Sequence, residues 1–171
     1  GPAPQPPVRK EYLVGRWTFD EGNAKDSSGN DYHGVASSAN IYDSDTPFGM
    51  GKSVNLNGNH YITVSDGGDE STFDGGSAFS IAGWIKEWPD SKWEPYISKH
   101  GENGKGWQIR RYNNASDKIS FTLRGVGNEN WYLTKAINDN QWHHLAGVFG
   151  EGKRKIYVDG ELIGSADAFG S

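Results

Sequence analysis

The chain of 171 residues contains no cysteine, which excludes disulfide bonds, thiolate zinc centres and cysteine nucleophiles. No apolar run approaches the roughly 20 residues that a membrane-spanning helix needs, so we expect no membrane insertion. Lysine and arginine never run longer than the three residues at 153–155, and the net charge is −5, so we expect no nucleic acid partner. Aromatic side chains, turns and loop polar groups are therefore the features from which a function can be argued.

Proline is concentrated at the amino terminus, where residues 1–10 hold four of the seven prolines. Such a segment favours an extended polyproline conformation and cannot join a core. We therefore predict a proline-rich linker over residues 1–11 and one domain over residues 12–171. The linker suggests a domain cut from a longer, multidomain chain.

Short alternating runs separated by turn residues dominate the rest of the chain, which has 24 glycines and no convincing helical pattern. Residues 13–19 predict a first strand, residues 53–58 and 60–65 a strand pair, and residues 79–88 the strongest strand. The pattern predicts about ten or eleven strands, which is typical of an antiparallel sandwich. The Asp-Gly pair at 159–160, between two alternating runs, predicts a type I′ hairpin turn.

Six motifs follow one another along residues 13–165: WTFDEG, DSSGNDYHG, FGMGKSVNLNGNHYITV, FSIAGWIK, WHHLAGVF and KIYVDGELIGS. In this order they resemble the LamG-like (laminin-G-like jelly roll) domains of the concanavalin A-like lectin/glucanase superfamily. The resemblance implies an all-β fold, an antiparallel two-sheet jelly-roll sandwich. It implies much less about function, because this fold hosts lectins, glycosidases, lyases and adhesion modules.

The resemblance also implies a final strand beside the first one, and the chain ends at AFGS without it. We therefore expect a sandwich that lacks its last C-terminal strand. The absence would leave a sheet edge and part of the core open. Either the chain is truncated or a partner segment completes the sheet.

The acidic residues do not follow the pattern of a glycosidase, which needs two carboxyl groups facing the scissile bond. Glu87 and Asp90 are separated by a Trp-Pro pair, while Asp66, Asp69 and Glu70 lie in a glycine-rich turn. We therefore predict that the protein is not an enzyme.

Oxygen donors of the kind that calcium prefers follow the predicted first strand. Glu21, Asp26 and Asn30 are the side chains that we expect to form a partial cage around one structural calcium ion. The alternative is ordinary turn chemistry, in which Asp26 and Asn30 bind their own backbone. The resemblance adds that related sandwiches often hold a structural calcium between their first and last strands.

The adjacent residues His143 and His144 invite comparison with a metal site. Neighbouring side chains leave opposite faces of a strand, so the two imidazoles cannot chelate one ion together without a distortion. We interpret both histidines as residues of a sheet.

Aromatic side chains outside the core are the candidates for ligand binding, because sugar rings present apolar faces that stack on them. Trp17, Trp84, Phe149 and Tyr157 alternate with apolar or small residues and are predicted to be core, as is Trp142 by the resemblance. The alternative for the loop tryptophans is that they cover the edges of the core. The predicted binding residues lie in or beside turns with polar neighbours: Trp88, Trp93, Trp107, Arg110, Asn130, Trp131 and Tyr132.

These features favour a non-catalytic, lectin-like carbohydrate-binding module of an exported bacterial protein, either secreted or at the cell surface. Its partner would be a polysaccharide or glycan. One alternative is a protein–protein adhesion or spacer domain without a sugar site, in which Trp88, Trp93 and Trp131 are buried. Another is a glycan-processing enzyme, which requires a pair of acids facing each other in a groove.

Overall fold

A computed structural model describes residues 12–88, 93–100, 106–112, 117–125 and 131–168. The chain divides into two compact units, Gly1–Asp69 and Glu70–Ser171. The predicted linker lies outside the described residues. Among the residues that are described, no helix is long and apolar enough to cross a membrane.

The first unit contains two short antiparallel strand pairs. Strand β1 (Gly34–Ala36) pairs with β4 (Ile62–Val64), and β2 (Tyr42–Asp43) pairs with β3 (Ser53–Val54). The predicted pairing between the strands around β3 and β4 is therefore wrong, since each of them pairs with an earlier strand.

A tight turn lies between β3 and β4. Asn57 and Gly58 have positive φ angles of 44° and 80°, and the carbonyl of Leu56 accepts hydrogen bonds from the amides of Asn59 and His60. These bonds close the turn, and β3 and β4 on either side of it pair with β2 and β1.

The predicted first strand, residues 13–19, forms a single bridge between Trp17 and Asp26 instead of a strand. Loop side chains supply hydrogen bonds that a neighbouring strand would otherwise provide. Asp26 Oδ1 accepts from the amide of Arg16 at 2.9 Å, and Asn30 Nδ2 donates to two backbone carbonyls of the segment at 3.0 and 2.9 Å. Because side chains satisfy these backbone groups, a ladder is not required there.

The second unit begins with a 3₁₀ turn, Glu70–Phe73, and continues with eight strands among the described residues. Their bounds are β5 Phe79–Lys86, β6 Pro95–His100, β7 Gly106–Arg111, β8 Lys118–Arg124, β9 Leu133–Thr134, β10 Trp142–Gly150, β11 Lys153–Val158 and β12 Glu161–Asp167. They form two antiparallel four-stranded sheets. We call β12-β11-β10-β5 the first sheet and β6-β7-β8-β9 the second sheet.

The core of this unit is built from apolar side chains of both sheets, with Phe121 of β8 fully buried at its centre. The Phe79 ring of the first sheet lies edge-on to the Phe121 ring of the second sheet, with centroids 5.9 Å apart, and it lies 5.7 Å from the Phe149 ring of its own sheet. A Cβ on Gly147 of β10 would lie 3.0 Å from the Phe121 ring, so a larger residue there would have to displace it. The expected all-β, antiparallel jelly-roll sandwich is confirmed.

The Asp-Gly hairpin is confirmed, because Asp159 and Gly160 have φ angles of 52° and 81° between paired Val158 and Glu161. Phe149 is buried, as expected. Three predicted core positions are wrong. Trp84 is 41% exposed, and Tyr157 and Trp142 are half-buried; all three lie on the face of the first sheet that points away from the core.

Strand alternation is the physical reason for these errors, and in β10 it gives Trp142 the parity opposite to the core residues Leu145 and Phe149. In β5 the core-facing positions are those of Phe79 and Ile81, so Trp84 has the opposite parity. In β11 Ile156 and Val158 point into the core and Tyr157, between them, points away.

Candidate functional site

The face of the second sheet that lies away from the core has a polar floor. The register pairs Gln108 with Thr122 and Arg110 with Ser120, which places these four side chains on one face. Ser120 and Thr122 are buried, and their hydroxyl oxygens lie 3.0 Å apart. Ser120 also donates to the carbonyl of Trp131 at 2.6 Å, so the floor is held by its own hydrogen bonds.

Three aromatic rings at this sheet contact one another in series. We call them the aromatic row: Trp93, Tyr112 and Tyr132. The ring centroids of Trp93 and Tyr112 are 5.1 Å apart with an edge-on geometry. Those of Tyr112 and Tyr132 are 4.4 Å apart with an interplanar angle of 16°, which is a stacked pair.

The two ends of the aromatic row are open to solvent. Trp93 is 44% exposed and Tyr132 is 43% exposed, whereas Tyr112 between them is half-buried. Tyr112 uses one ring face on Tyr132 and contacts Trp93 as well, so the end rings have the free area. The aromatic row therefore exposes two rings, Trp93 and Tyr132, on which a ligand can stack, and Tyr112 separates them.

Cationic side chains accompany the rings. The guanidinium carbon of Arg110 lies 4.6 Å from the Trp93 ring centroid and 6.0 Å from that of Tyr112, while Lys118 Nζ lies 5.7 Å from the Tyr132 centroid. At these distances the ring quadrupole attracts the cation. The contacts restrain the rings, which lowers the entropy cost of ordering them on binding.

The structure brings together three of the predicted binding residues, Trp93, Arg110 and Tyr132. Tyr112 was missed, although it lies two residues after Arg110 and strand alternation places both on one face. Trp88 is 47% exposed, and no ring contact joins it to the row within the described ranges. Asn130 lies outside the described residues.

Trp107 and Trp131 pack against the core instead of joining the row. Trp107 Nε1 donates to the carbonyl of Phe73 at 2.7 Å, and its ring centroid is 6.0 Å from that of Phe79. The Arg154 guanidinium lies 5.2 Å from the Trp131 ring centroid. These two tryptophans cover the core edge, which was the alternative for the loop tryptophans.

A buried ionic cluster lies on the core side of the same sheet. Arg111 forms an ion pair with Glu87, and the Tyr96 hydroxyl donates to the same carboxylate. Arg111 is 1% exposed and Glu87 is 5% exposed. Burial, reinforced by the hydrogen bond to Glu87, raises the pKa of Tyr96 well above its ordinary range. Tyr96 therefore stays protonated and keeps donating, and the cluster joins the chain after β5 to β6 and β7.

The predicted calcium ligands do not form a cage in this arrangement. Both carboxylate oxygens of Asp26 accept hydrogen bonds, from the amides of Arg16, Ser28 and Tyr32 and from the Ser28 hydroxyl. Burial raises the pKa of Asp26, but these bonds outweigh it and leave the pKa lowered. Asn30 turns its amide nitrogen to carbonyls, and Glu21 is exposed.

Turn chemistry therefore accounts for Asp26 and Asn30, and the described residues contain no group of three or more His, Cys, Asp or Glu that could hold a metal. Calcium binding stays a prediction. A melting midpoint that does not shift between calcium and EGTA would remove it.

The two histidines occupy opposite faces of β10, as expected. His144 packs edge-on against Trp84, with ring centroids 5.2 Å apart. His143 lies between two carboxylates, with Nδ1 at 2.7 Å from Asp159 and Nε2 at 2.9 Å from Asp139. Partial burial lowers the pKa of His143, but the bonds to Asp159 and Asp139 outweigh it, so the pKa is raised.

Comparison with known proteins bears on the fold. A laminin G family model, described as "Concanavalin A-like lectin/glucanases superfamily", matches residues 56–171. The binding domain of Paraclostridial Mosquitocidal Protein 1 is similar, with a TM-score of 0.63 and 17% identity over 93% of this chain. This chain covers 41% of that one, about two fifths of its length.

Domain 4 of AbnA, a GH43 extracellular arabinanase from Geobacillus stearothermophilus, solved in complex with arabinotriose, is also similar. Its TM-score is 0.58 at 21% identity, over 92% of this chain and 76% of that one. No curated protein matches the sequence. At these identities the two likenesses show the fold alone.

Proposed function

Since the chain belongs to the concanavalin A-like lectin/glucanases superfamily, we propose that it is a non-catalytic carbohydrate-binding module of an exported multidomain protein. The ligand is a polysaccharide whose sugar rings stack on Trp93 and Tyr132. Tyr112 fixes the spacing of these platforms, and Arg110 orients the ligand through its hydroxyl groups.

The aromatic row is the observation that carries the proposal. The aromatic row exposes one large ring at each of its two ends. Successive sugar rings of one polysaccharide chain can stack their apolar faces on these two rings. The polar floor of Ser120 and Thr122 keeps the surface beneath the rings hydrogen-bonded and rigid. A preformed, rigid surface loses less entropy on binding than a mobile one.

A binding role is favoured over hydrolysis by the charges beside the row. Glycoside hydrolysis uses two carboxyl groups about 5–10 Å apart. Glu87, the buried acid nearest in sequence to Trp93, is held in an ion pair with Arg111 on the core side of the sheet. Its carboxylate is thus engaged in packing and not presented to a ligand.

The test is affinity electrophoresis of the full chain on a panel of polysaccharides, with arabinan and polygalacturonate among them. Arabinan is included because arabinotriose is bound by the similar arabinanase domain. Trp93→Ala is expected to weaken binding about tenfold or more, the cost of truncating a central aromatic anchor. Trp84→Ala is the matched control, since it removes an equally exposed tryptophan from the first sheet.

Equal losses in the two variants would contradict a site at the aromatic row. Retention of the wild-type chain by none of the polysaccharides would overturn the carbohydrate-binding proposal and favour an adhesion or spacer role. Reducing sugar released over time would contradict the non-catalytic part of the proposal alone.

A further inference from the structure

The outer face of the second sheet has a charge opposite to that of the whole chain. The register places Arg124 opposite Gly106, two positions along from the pair Gln108 and Thr122, so Arg124 shares the face of Arg110. Lys118, paired with Thr134, belongs to the same face. Three cations, Arg110, Lys118 and Arg124, thus occupy outward strand positions of this sheet. The other outward positions whose side chains the structure describes hold Pro95, Ser98, Gly106, Gln108, Ser120, Thr122 and Thr134.

No aspartate or glutamate occupies any of these positions, although the chain has 22 acidic and 17 basic residues and a net charge of −5. A random distribution of these side chains would favour acids on any face. Charge of one sign concentrated beside a recognition surface raises the local concentration of ligands of the opposite sign.

Lys118 and Arg124 are at most weakly neutralised by carboxylates of the described residues. Lys118 Nζ lies 3.7 Å from Asp117, and the two side chains are 30% and 50% exposed, so water screens the pair. Arg124 is half-buried, and within the described part of the chain its guanidinium group makes no hydrogen bond or ion pair. A half-buried guanidinium in this position gains from an anionic partner, because its own hydration is already reduced.

The cations lie along the aromatic row and not apart from it. Arg110 contacts Trp93 and Tyr112, and Lys118 contacts Tyr132. A ligand that covers the end rings therefore meets a positive charge at each of them. A polymer of sugars that carry carboxylates has both features, an apolar ring face and a negative charge on every unit.

We infer that the ligand of this face is an acidic polysaccharide, whose carboxylates pair with Arg110, Lys118 and Arg124 while its rings stack on Trp93 and Tyr132. The inference rests on the proposed function and narrows its ligand to one class of polysaccharide. Single-stranded nucleic acid also combines stacking with negative charge. The absence of a basic run and the negative net charge favour the polysaccharide, because nucleic acid binding relies on many phosphate contacts.

The experiment compares polygalacturonate with its fully methyl-esterified form, which keeps the sugar backbone and removes the charge. Binding by the full chain is measured by Trp fluorescence, with arabinan and poly(U) RNA as further probes. The ester is expected to bind about tenfold more weakly or worse, since hydrogen bonds to charged groups are the stronger ones. Raising the salt from about 0.05 to 0.5 M is expected to weaken only the acidic ligand.

Arg124→Gln is expected to weaken polygalacturonate binding by about twofold to fivefold, the range for an exposed ion pair. Lys155→Gln is the matched control, because it removes the same charge from β11 of the first sheet and should leave binding unchanged. Stable folding of each variant is checked by its melting midpoint.

Equal affinity for polygalacturonate and its ester, or tighter binding of arabinan, would overturn the acidic ligand while leaving the carbohydrate-binding proposal intact. Tighter binding of poly(U) would overturn the inference in favour of nucleic acid. Binding of no polysaccharide at all would overturn the proposed function together with it.

Discussion

Arg110 and Arg111 are neighbours in β7, yet they face opposite sides of the second sheet and meet opposite environments. Arg110 is half-buried and lies over the rings of Trp93 and Tyr112. Arg111 is 1% exposed and is paired with Glu87. On one side of the sheet a guanidinium therefore lies beside a solvent-exposed surface, and on the other side a guanidinium joins the segment after β5 to β6 and β7.

The two sides of the sheet differ in how far they can change without loss of the fold. A buried charge has exchanged its water for one set of partners, so removing a partner leaves it unsatisfied. A guanidinium at the surface keeps access to water and loses little when a contact is removed. The core side of the second sheet should therefore govern stability, and the outer side should govern binding.

The largest expected effect is on the core side. Phe121→Ala removes a fully buried ring at the centre of the sandwich and should lower the free energy of unfolding by about 3–5 kcal/mol. Urea denaturation followed by circular dichroism measures it. Tyr132→Ala is the control on the outer side. If it lowers the free energy of unfolding as much as Phe121→Ala or more, the core side of the sheet does not govern stability.

Arg111→Met is expected to cause the next largest loss of stability. It leaves the Glu87 carboxylate buried without its cation and should cost about 3 kcal/mol. The double variant Glu87→Gln with Arg111→Met removes both charges, so it should recover part of that loss. If the loss of stability in the double variant equals the sum of the losses in Arg111→Met and Glu87→Gln measured separately, the two residues are not coupled.

The strands of the second unit follow from local pattern. Alternating apolar residues predict β5, β10 and β11, and the positive φ angles that Asp-Gly tolerates predict the turn before β12. These features depend on residues that are adjacent in sequence. The core role of Phe149 could be predicted for the same reason.

Long-range pairing could not be predicted in this way. Which face Trp84 occupies depends on the register between β5 and β10, which are separated by more than fifty residues. The stack of Tyr112 on Tyr132 requires β8 to lie between β7 and β9, and no local pattern specifies that order. In the loop after residue 20, carboxylate and amide groups serve calcium cages and turns alike, so only geometry separates the two roles.

The ionic cluster of His143, Asp139 and Asp159 is intermediate in exposure, and its stability contribution depends on pH. His143 has a raised pKa, so its pairing stabilises the fold fully below about pH 6.5 and is lost as the pH rises through the folded value. For Asp139 and Asp159, burial acts to raise the pKa but the bonds to His143 outweigh it, and the pKa values are lowered. Their contribution is present above about pH 4 and is lost as the pH falls.

The cluster should therefore stabilise most between about pH 4 and pH 6.5. We expect the unfolding free energy to fall by up to about 1 kcal/mol between pH 6 and pH 9, as His143 loses its proton. The change stays small because the carboxylates are half exposed and Lys135 also acts on Asp159. His143→Gln should flatten this slope. An unchanged slope in that variant would assign the pH dependence to other groups.

The smallest expected effect on stability comes from Arg110→Met, the same substitution as at position 111 one residue away. Its guanidinium is half-buried beside two rings, and an exposed cation–π contact contributes about 0.5–1 kcal/mol. The unfolding free energy should therefore change by less than about 1 kcal/mol. Trp93 emission should change, because the cation no longer lies over its ring, and binding of polygalacturonate should weaken. If Arg110→Met destabilises the protein as much as Arg111→Met while binding persists, then both guanidiniums are structural, and the division between the two sides of the sheet fails.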